Sequence, residues 1–327
     1  MAELRIGVLG CAEIARRRAL PAFLARPGVR LVAVASRDGV KAASFAAEFG
    51  CAAVTGYQAL LDRADVDAVY LPLPPALHVP WAREALLAGK HVLAEKPLAT
   101  EVAEATELVE LAASRGLVLM ENFAFLHHPQ LALVRKLIDD GEIGELRGIT
   151  AEFGFPPVEP TSIRYQPELG GGALLDAGVY PLRTARVFLG ADINVLGASL
   201  RLDPASGVDV GGAALVVDAD GVTGQLAFGF DRAYRCTYTL WGSKGRLIAD
   251  RAFSAPPGFQ PPVRLERQSG TKELAAPAAA QFETIIARFA ELALGAQTSL
   301  AEPGIGADVV AQARLLGDVR AAARQAR

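Results

Sequence analysis

Short apolar runs alternate with longer amphipathic stretches over the first 120 residues. The apolar runs predict strands at 4–9, 31–35, 51–54, 66–71, 91–94 and 117–120. The stretches at 38–49, 79–88 and 101–115 have helical spacing, and Thr100 stands where it can cap the last of them. Because strands and helices alternate with short connections, this region is predicted to form a doubly wound parallel sheet.

The pattern changes after residue 122. Following a predicted helix at 128–139, the polar and apolar positions alternate over 145–155, 193–203, 209–218, 222–230, 233–241 and 245–250. Asp220-Gly221 is a strong hairpin signal between two of these stretches. Helices are predicted at 172–189, 279–294 and 305–324. We therefore expect an α/β fold with a Rossmann domain (1–122) and an α+β domain (123–327). The second domain should contain a large, open, mostly antiparallel sheet, and the C-terminal helix should pack back on the first domain.

Composition narrows the classes of function. The chain has 327 residues, is 51% apolar and carries a net charge of −3, so it can bury a substantial core. Its longest basic tract is Arg16-Arg17-Arg18, which argues against a nucleic-acid or membrane partner. The three scattered cysteines, the absence of a signal-peptide profile and the lack of a long apolar run predict a cytoplasmic protein. His127-His128 has no acid or cysteine at ligand spacing, so no metal site is expected.

A tight turn follows the first strand. It consists of Gly10-Cys11-Ala12-Glu13-Ile14 and leads into a helix that is predicted to end near Arg26. A strand, a glycine turn and a helix form the context of a dinucleotide pyrophosphate site at a helix N-terminus. Ala12 replaces a glycine of the usual fingerprint, so an ordinary turn is the alternative. The Arg16-Arg17-Arg18 tract either helps to hold a diphosphate or forms a solvated helix face.

The end of the second strand bears on cofactor choice. Ser36-Arg37 lies 26 residues beyond Gly10, near the spacing at which the adenosine ribose is recognised. A hydroxyl and a guanidinium suit a 2′-phosphate, which favours NADP(H). Asp38 is the rival ribose acceptor and keeps NAD(H) open, and an uninvolved surface arginine is the third reading.

Two further loops fall at predicted carboxyl ends of strands, where ligands bind in such sheets. Leu71, Pro72 and Leu73 begin a rigid loop that could lie against a flat ring. Glu95-Lys96-Pro97 follows the strand that ends at Ala94. Lys96 should therefore face the cofactor, or else it is a solvated lysine or a partner of Glu95.

Asp176 and Tyr180 follow the triple glycine 170–172. Four residues apart on a helix, they would share one face with their Cβ atoms about 5–6 Å apart. They are candidates for gripping a substrate and donating a proton, and a hydrogen-bonded surface pair is the alternative.

The order of these motifs resembles the glucose-fructose oxidoreductase/inositol dehydrogenase/MocA family over nearly the whole chain. The resemblance rests on the glycine turn, Glu95-Lys96-Pro97, Glu121-Asn122 and the Gly-Gly-Gly-x-Leu-x-Asp-x-Gly-x-Tyr motif. It is closer to nucleotide-sugar 3-ketoreductases of deoxysugar biosynthesis, on the stretches 9–15, 122–130, 163–165, 178–183 and 240–245. Alanine is expected at position 12 in that subgroup. Many sugar and polyol dehydrogenases have histidine where this chain has Tyr180.

The resemblance implies NADPH-dependent reduction of the C3 ketone of a nucleotide-linked 3,4-diketo-2,6-dideoxyhexose, with dTDP as the expected nucleotide. Tyr180 would donate the proton, Lys96 would favour its release and orient the sugar, and Asp176 would bind a sugar hydroxyl or hold Lys96. The cofactor residues are expected to be Gly10, Cys11, Ala12, Glu13, Ile14, Ser36, Arg37, Leu71, Pro72, Leu73, His78, Glu95, Lys96, Asn122 and Arg164. Arg164 has the substrate as its alternative ligand.

The resemblance also implies a homodimer or homotetramer formed through the C-terminal sheet. Two other functions remain open at this stage. One is an NAD(P)-dependent dehydrogenase of free sugars, polyols or trans-dihydrodiols. The other is a non-catalytic cofactor-binding regulator, which the joint presence of Lys96, Asp176 and Tyr180 disfavours.

Overall fold

The computed structural model describes residues 3–295 and 305–326. The chain divides into two compact units. The first consists of Met1–Phe123 and Phe282–Val310, and the second of Ala124–Gln281 and Ala311–Arg327.

The first unit is built on a six-stranded parallel sheet in the order β3-β2-β1-β4-β5-β6. Its strands are β1 Leu4–Leu9, β2 Val29–Ser36, β3 Ala52–Thr55, β4 Ala68–Leu71, β5 His91–Ala94 and β6 Leu119–Glu121. Its helices are α1 Leu20–Ala25, α2 Gly39–Phe49, α3 Tyr57–Leu61, α4 His78–Leu87 and α5 Val102–Ser114. The predicted doubly wound sheet is confirmed. The order reverses between β1 and β4, which is where such sheets bind ligands.

Two helix starts in this unit illustrate local control by single side chains. Asp38 caps α2, because its carboxylate accepts hydrogen bonds from the backbone N–H groups of Val40 and Lys41 at 2.9 and 3.2 Å. The predicted cap by Thr100 is wrong. Helix α5 begins one residue later, with Glu101 at the capping position and no side-chain cap, so Thr100 is too far back to reach the first free N–H groups.

The second unit is built on a nine-stranded sheet in the order β14-β13-β12-β11-β7-β10-β9-β8-β15. Its strands are β7 Leu146–Gly154, β8 Asn194–Leu202, β9 Asp209–Val217, β10 Thr223–Gly229, β11 Arg235–Gly242, β12 Gly245–Asp250, β13 Pro262–Arg267, β14 Gly270–Ala275 and β15 Ala323–Ala326. The helices of the remaining chain are α6 Pro129–Asp139, α7 Val179–Leu189, α8 Gln281–Leu294 and α9 Ile305–Ala322. The sheet is mostly antiparallel, as predicted, with parallel pairs β7–β10 and β8–β15.

Two predictions for this unit need correction. The helix expected to run to residue 324 ends at Ala322, and Ala323–Ala326 pairs with the edge strand β8 instead. Tertiary strand pairing here overrides the helical propensity of an alanine-rich segment. The helix expected over 172–189 is not a uniform α-helix, because Leu174–Gly178 forms a π-helical turn before α7.

The two faces of the nine-stranded sheet differ. Helices α6 and α7 pack on one face, where Tyr238 and Leu240 are buried. On the opposite face Thr239, Thr150, Gln225 and Leu215 lie in register across four strands. This open face carries the exposed side chain of Trp241, two residues beyond Thr239.

Candidate active site

The predicted cofactor residues of the first unit lie along one edge of its sheet. Gly10, Ser36-Arg37, the 71–73 loop, Glu95-Lys96 and Asn122 follow the carboxyl ends of β1, β2, β4, β5 and β6, respectively. All five strands are parallel, so their carboxyl ends meet at the same edge. The structure thus brings these separate segments together where a doubly wound sheet binds its ligand.

Gly10 occupies a position that only glycine fits. Its φ is +122°, and a Cβ atom there would lie 2.9 Å from Cδ2 of Leu73 and 3.4 Å from the carbonyl oxygen of Pro72. Its N–H donates to the carbonyl of Ala35 at 2.9 Å. The glycine therefore lets the loops after β1 and β4 pack directly against each other at the switch point.

The turn beyond Gly10 presents backbone and apolar groups. Cys11 is buried, and this burial raises the pKa of its thiol to about 11, so it is not a nucleophile at neutral pH. Ile14 keeps 39% of its surface exposed at the start of the helix. Ala15–Ala19 forms a π-helical turn, a rare feature that is frequent at functional sites.

Arg16 is engaged with helix α2. Its guanidinium forms an ion pair with Glu48 and lies 5.1 Å from the centre of the Phe45 ring. These contacts favour the solvated-face interpretation of this arginine over the binding of a diphosphate.

At the end of β2, the two candidate ligands of the ribose, Arg37 and Asp38, differ in how available they are to a cofactor. Asp38 is already used as the cap of α2, and its own N–H donates to Ser36 Oγ at 3.1 Å. Arg37 is exposed and lies beside Tyr57, where its charge opposes the rise in the Tyr57 pKa that burial causes. The arrangement leaves an exposed guanidinium at this edge and a carboxylate that is committed to the helix.

Glu95 is the centre of a polar network that fixes the loop after β5. Its Oε1 accepts hydrogen bonds from the Tyr70 hydroxyl at 2.7 Å and the Asn122 side-chain amide at 2.5 Å. Burial raises the pKa of Glu95, and the hydrogen bond from Tyr70, the charge of Lys96 and the bond from Asn122 oppose that rise. The network therefore joins β4, β5 and the end of β6 around Lys96.

His78 fixes the other side of the same loop. It is fully buried, and its ring nitrogens lie 2.7 Å from the carbonyl oxygens of Pro97 and Leu73. Burial lowers the pKa of His78, which the two carbonyls oppose and Lys96 reinforces. Because both ring nitrogens contact backbone, the geometry argues against the direct cofactor contact predicted for His78. It holds the loops on which Leu73 and Lys96 stand.

The surroundings of Asn122 indicate that the carboxyl edge of the parallel sheet fits a nicotinamide cofactor. It is 3% exposed, and within the described ranges its buried Oδ1 has no hydrogen-bond partner. Buried polar atoms are normally satisfied, so this acceptor fits a ligand that carries an N–H group, such as a carboxamide. Gly10, Arg37 and Asn122 together match the pyrophosphate, 2′-phosphate and nicotinamide portions of such a cofactor.

In the second unit, the triple glycine shapes the entry to the Tyr180 helix. Gly172 has a φ of +117°, and its N–H donates to the carbonyl of Arg164 at 2.9 Å. A Cβ on Gly171 would lie 2.6 Å from that same carbonyl oxygen. The carboxylate of Asp209 accepts from the N–H of Leu174 at 2.6 Å. The glycines thus allow the 163–165 segment to lie against the start of the helix.

This packing brings Arg164 to Asp176. Arg164 Nε donates to Asp176 Oδ2 at 2.6 Å, and the guanidinium lies 5.7 Å from the centre of the Phe155 ring. The predicted ligands Arg164 and Asp176 therefore belong to one ion pair. The carboxylate is oriented by the guanidinium, which it neutralises in turn.

Tyr180 stands in a cluster of phenylalanines. Its ring centre lies 5.1 Å from that of Phe153, 5.6 Å from that of Phe253 and 6.0 Å from that of Phe125. Phe253 stacks on the phenol ring, and Phe153 approaches it edge-on. These ring contacts help to fix the position of the half-buried Tyr180 side chain.

Comparison with known proteins identifies the family. The family model for the GFO/IDH/MocA oxidoreductases with an NAD-binding Rossmann fold matches residues 4–123, and the model for the C-terminal domain of the same family matches residues 131–248. The chain belongs to the GFO/IDH/MocA oxidoreductase family.

Relatives in this GFO/IDH/MocA family match over almost their full length. A dTDP-3,4-didehydro-2,6-dideoxy-alpha-D-glucose 3-reductase from Streptomyces violaceoruber is 52% identical and covers 98% of this chain and 95% of its own. KijD10, a 3-ketoreductase from Actinomadura kijaniata in complex with NADP and TDP-benzene, superimposes with a TM-score of 0.96 at 49% identity, covering 99% of this chain and 98% of its own. The aldose-aldose oxidoreductase of Caulobacter crescentus has a TM-score of 0.88 at 25% identity, with 98% and 97% covered.

Several residues around the GFO/IDH/MocA motifs were not predicted from the sequence. They are Tyr70, Glu121, Phe125, Phe153, Asp209 and Phe253. Glu121 accepts from the N–H of Leu98 at 2.8 Å and so supports the loop that carries Lys96. The sequence signal for Glu121 was its place in the Glu121-Asn122 motif, which gave it no role, whereas Asp209 and Phe253 meet the site only through tertiary structure.

Within the described ranges, no three His, Cys, Asp or Glu side chains converge as a metal site would require. The same part of the chain has no helix that combines the length and apolarity needed to span a membrane.

Proposed function

We propose that this protein reduces the C3 ketone of a dTDP-linked 3,4-diketo-2,6-dideoxyhexose with NADPH, in deoxysugar biosynthesis. The observation that carries the proposal is the near full-length similarity, at about 50% identity, to four reductases named for that substrate. The local geometry of Tyr180 supports it, since a phenol in an apolar cluster suits the delivery of a proton to a developing alkoxide.

In this mechanism NADPH supplies the hydride to C3 of the sugar. Tyr180 gives its hydroxyl proton to the oxygen that becomes negative as the hydride arrives. Lys96, on the loop held by Glu95 and His78, stabilises that negative charge and favours proton release from the phenol. Asp176, oriented by Arg164, accepts a hydrogen bond from a sugar hydroxyl.

The choice of NADP(H) over NAD(H) is assigned to Arg37. Its guanidinium is exposed at the end of β2, while the carboxylate of Asp38 caps α2. Replacing Arg37 with Ala should raise the KM for NADPH about tenfold to a hundredfold and leave the KM for NADH nearly unchanged, because only NADPH carries the 2′-phosphate. Equal changes for both cofactors would contradict the assignment.

The experiment that tests the proposed function is NADPH consumption with the freshly generated 3-keto dTDP-sugar. We expect turnover with this substrate, less with NADH, and none with free sugars or trans-dihydrodiols. Turnover of the free sugars at a similar kcat/KM would identify a dehydrogenase of unlinked sugars. Binding of NADPH without reduction of any ketone would identify a cofactor-binding regulator.

We also propose that the protein is a cytoplasmic homodimer or homotetramer that associates through the open face of the nine-stranded sheet. Trp241 and Leu215 expose 68% and 40% of their surfaces there. Large exposed apolar side chains on a sheet face are typical of protein interfaces. Cys11, Cys51 and Cys236 are all free thiols, in agreement with a reducing compartment.

A further inference from the structure

A second feature of the Tyr180 surroundings is not used by the mechanism above. Arg251, at the end of β12, has a φ of +53°. It is the only non-glycine residue with positive φ in the described ranges. A non-glycine residue in this conformation is strained, and such residues cluster at binding and catalytic sites.

The strained residue presents its side chain in a defined place. The Arg251 guanidinium lies 4.5 Å from the centre of the Tyr234 ring, which is 43% exposed. The Tyr234 hydroxyl is 3.1 Å from Ser254 Oγ. Arg251 itself is exposed, and so a guanidinium lies over an aromatic ring at the surface of this unit.

This pair is connected to Tyr180 by a short, anchored segment. The N–H groups of Ala252 and Phe253 donate to the carbonyl and to Sγ of Cys236, at 3.1 and 3.3 Å. Phe253, which stacks on Tyr180, follows Arg251 by two residues, so their Cα atoms are at most about 7 Å apart. Arg251 therefore belongs to the same short segment as a residue that packs on the proposed proton donor.

Charge distinguishes Arg251 from the other arginines around this site. Arg164 is paired with Asp176, and Arg235 with Glu152. No carboxylate in the described part of the chain forms an ion pair with Arg251. A strained, preoriented cation without a carboxylate partner is suited to an anion supplied by a ligand.

We infer that Arg251, held on the ring of Tyr234, binds the diphosphate of the nucleoside-diphosphate portion of the substrate. The inference rests on the proposed function, in which the diphosphate is attached to the sugar whose ketone reacts at Tyr180. The diphosphate is one sugar ring away from that ketone, and Arg251 stands two residues before Phe253, which packs on Tyr180. A guanidinium contacts two phosphate oxygens at once and so fits this group well.

The test measures binding of dTDP itself to the purified full-length protein by calorimetry. Arg251→Gly and Arg251→Asn are the informative variants, because both residues accept positive φ and should keep the backbone in place. We expect the Kd for dTDP to rise about tenfold to a hundredfold in both, with the Kd for NADPH unchanged. Tyr234→Leu should also weaken dTDP binding, because the Arg251 cation rests on the ring that leucine lacks.

Arg147→Gln is the matched control. Arg147 is exposed and paired with Glu145 near the start of β7, about six residues of strand away from Phe153. It should bind dTDP like the wild type. If both Arg251 variants bind dTDP as tightly as this control, the inference about Arg251 is wrong and the proposed function stands. If the wild type does not bind dTDP, the proposed function itself fails.

Discussion

At the scale of single residues, different groups position the Tyr180 ring and carry out its proposed chemistry. Three phenylalanine rings hold its phenol, so loss of the hydroxyl should leave the ring where it is. The sequence motif predicted Tyr180 and Asp176 as site candidates. It did not predict Phe153 or Phe253, because those contacts come from a strand and a loop that are distant in sequence and carry no motif of their own.

Tyr180→Phe should therefore lower kcat by about 10²-fold, the contribution typical of a positioned proton donor, with the Kd for NADPH nearly unchanged. Steady-state kinetics and a cofactor titration measure the two quantities. Wild-type turnover in the variant would remove Tyr180 from the role of proton donor.

The buried carboxyl of Glu95 leads to a second prediction at this scale, about how the stability of the protein depends on pH. Burial raises its folded pKa above the ordinary value near 4.5, so the unfolded chain releases this proton first as pH rises. The glutamate therefore contributes less stability as pH rises from the pKa of the unfolded chain to the higher pKa of the folded protein. In thermal unfolding, the Tm of Glu95→Gln should rise relative to that of the wild type as pH increases above the ordinary glutamate pKa.

Glu48 supplies the control of opposite sign. The Arg16 guanidinium lowers the pKa of Glu48, so its contribution is present above the ordinary glutamate pKa and lost at lower pH. Glu48→Gln should consequently fall behind the wild type as pH rises towards the ordinary glutamate pKa from below, and the difference should stay constant at higher pH. A difference for Glu95→Gln that does not change with pH would show that the buried carboxyl is not the cause.

At the scale of elements, the glycine turn before Leu174 determines where the Tyr180 helix begins. The sequence predicted a helix led by glycines, and hydrophobic periodicity predicted most of its length. Periodicity did not reveal the π-helical turn at Leu174–Gly178, since the turn lies at the very start of the helix and too few helical residues precede it to show a change of phase. Nor did it reveal Asp209, which reaches the turn from the neighbouring strand β9.

Gly172→Ala should destabilise the protein by about 2–4 kcal/mol, because a Cβ at this φ would overlap the Asp209 carboxylate. Gly207→Ala is the matched control. Gly207 also has positive φ, at +76°, but a Cβ there would meet nothing within 4 Å. Urea unfolding should give a loss of about 1–2 kcal/mol for the control. Equal losses would mean that backbone strain alone accounts for Gly172.

At the scale of the whole molecule, the sequence predicted two kinds of sheet and the order of most strands along the chain. Alternation of β and α segments was sufficient for the parallel sheet, since it constrains both topology and handedness. The outer strands β13, β14 and β15 were not predicted. Their pairing partners are supplied by the rest of the sheet, and β15 follows a helix within an alanine-rich segment that has no strand pattern of its own.

The prediction at this scale concerns self-association through the open face of the nine-stranded sheet. Trp241→Glu should shift the protein towards monomers in analytical ultracentrifugation, because it places a charge where we propose an apolar interface. Leu294→Glu, at a similarly exposed leucine on α8, should leave the association state unchanged. If the association state of the Trp241 variant is unchanged, the interface does not lie on this face of the sheet.

The two π-helical turns, at Ala15–Ala19 and Leu174–Gly178, have a consequence for insertion and deletion. Each turn holds one residue more than an α-helical turn requires. Deleting Ala177 would allow the helix to close as a regular α-helix, which rotates the preceding residues by about 100° relative to Tyr180. Asp176 would then face away from Arg164. Family members of altered length should therefore gain or lose residues in the connecting loops and keep these two turns at constant length.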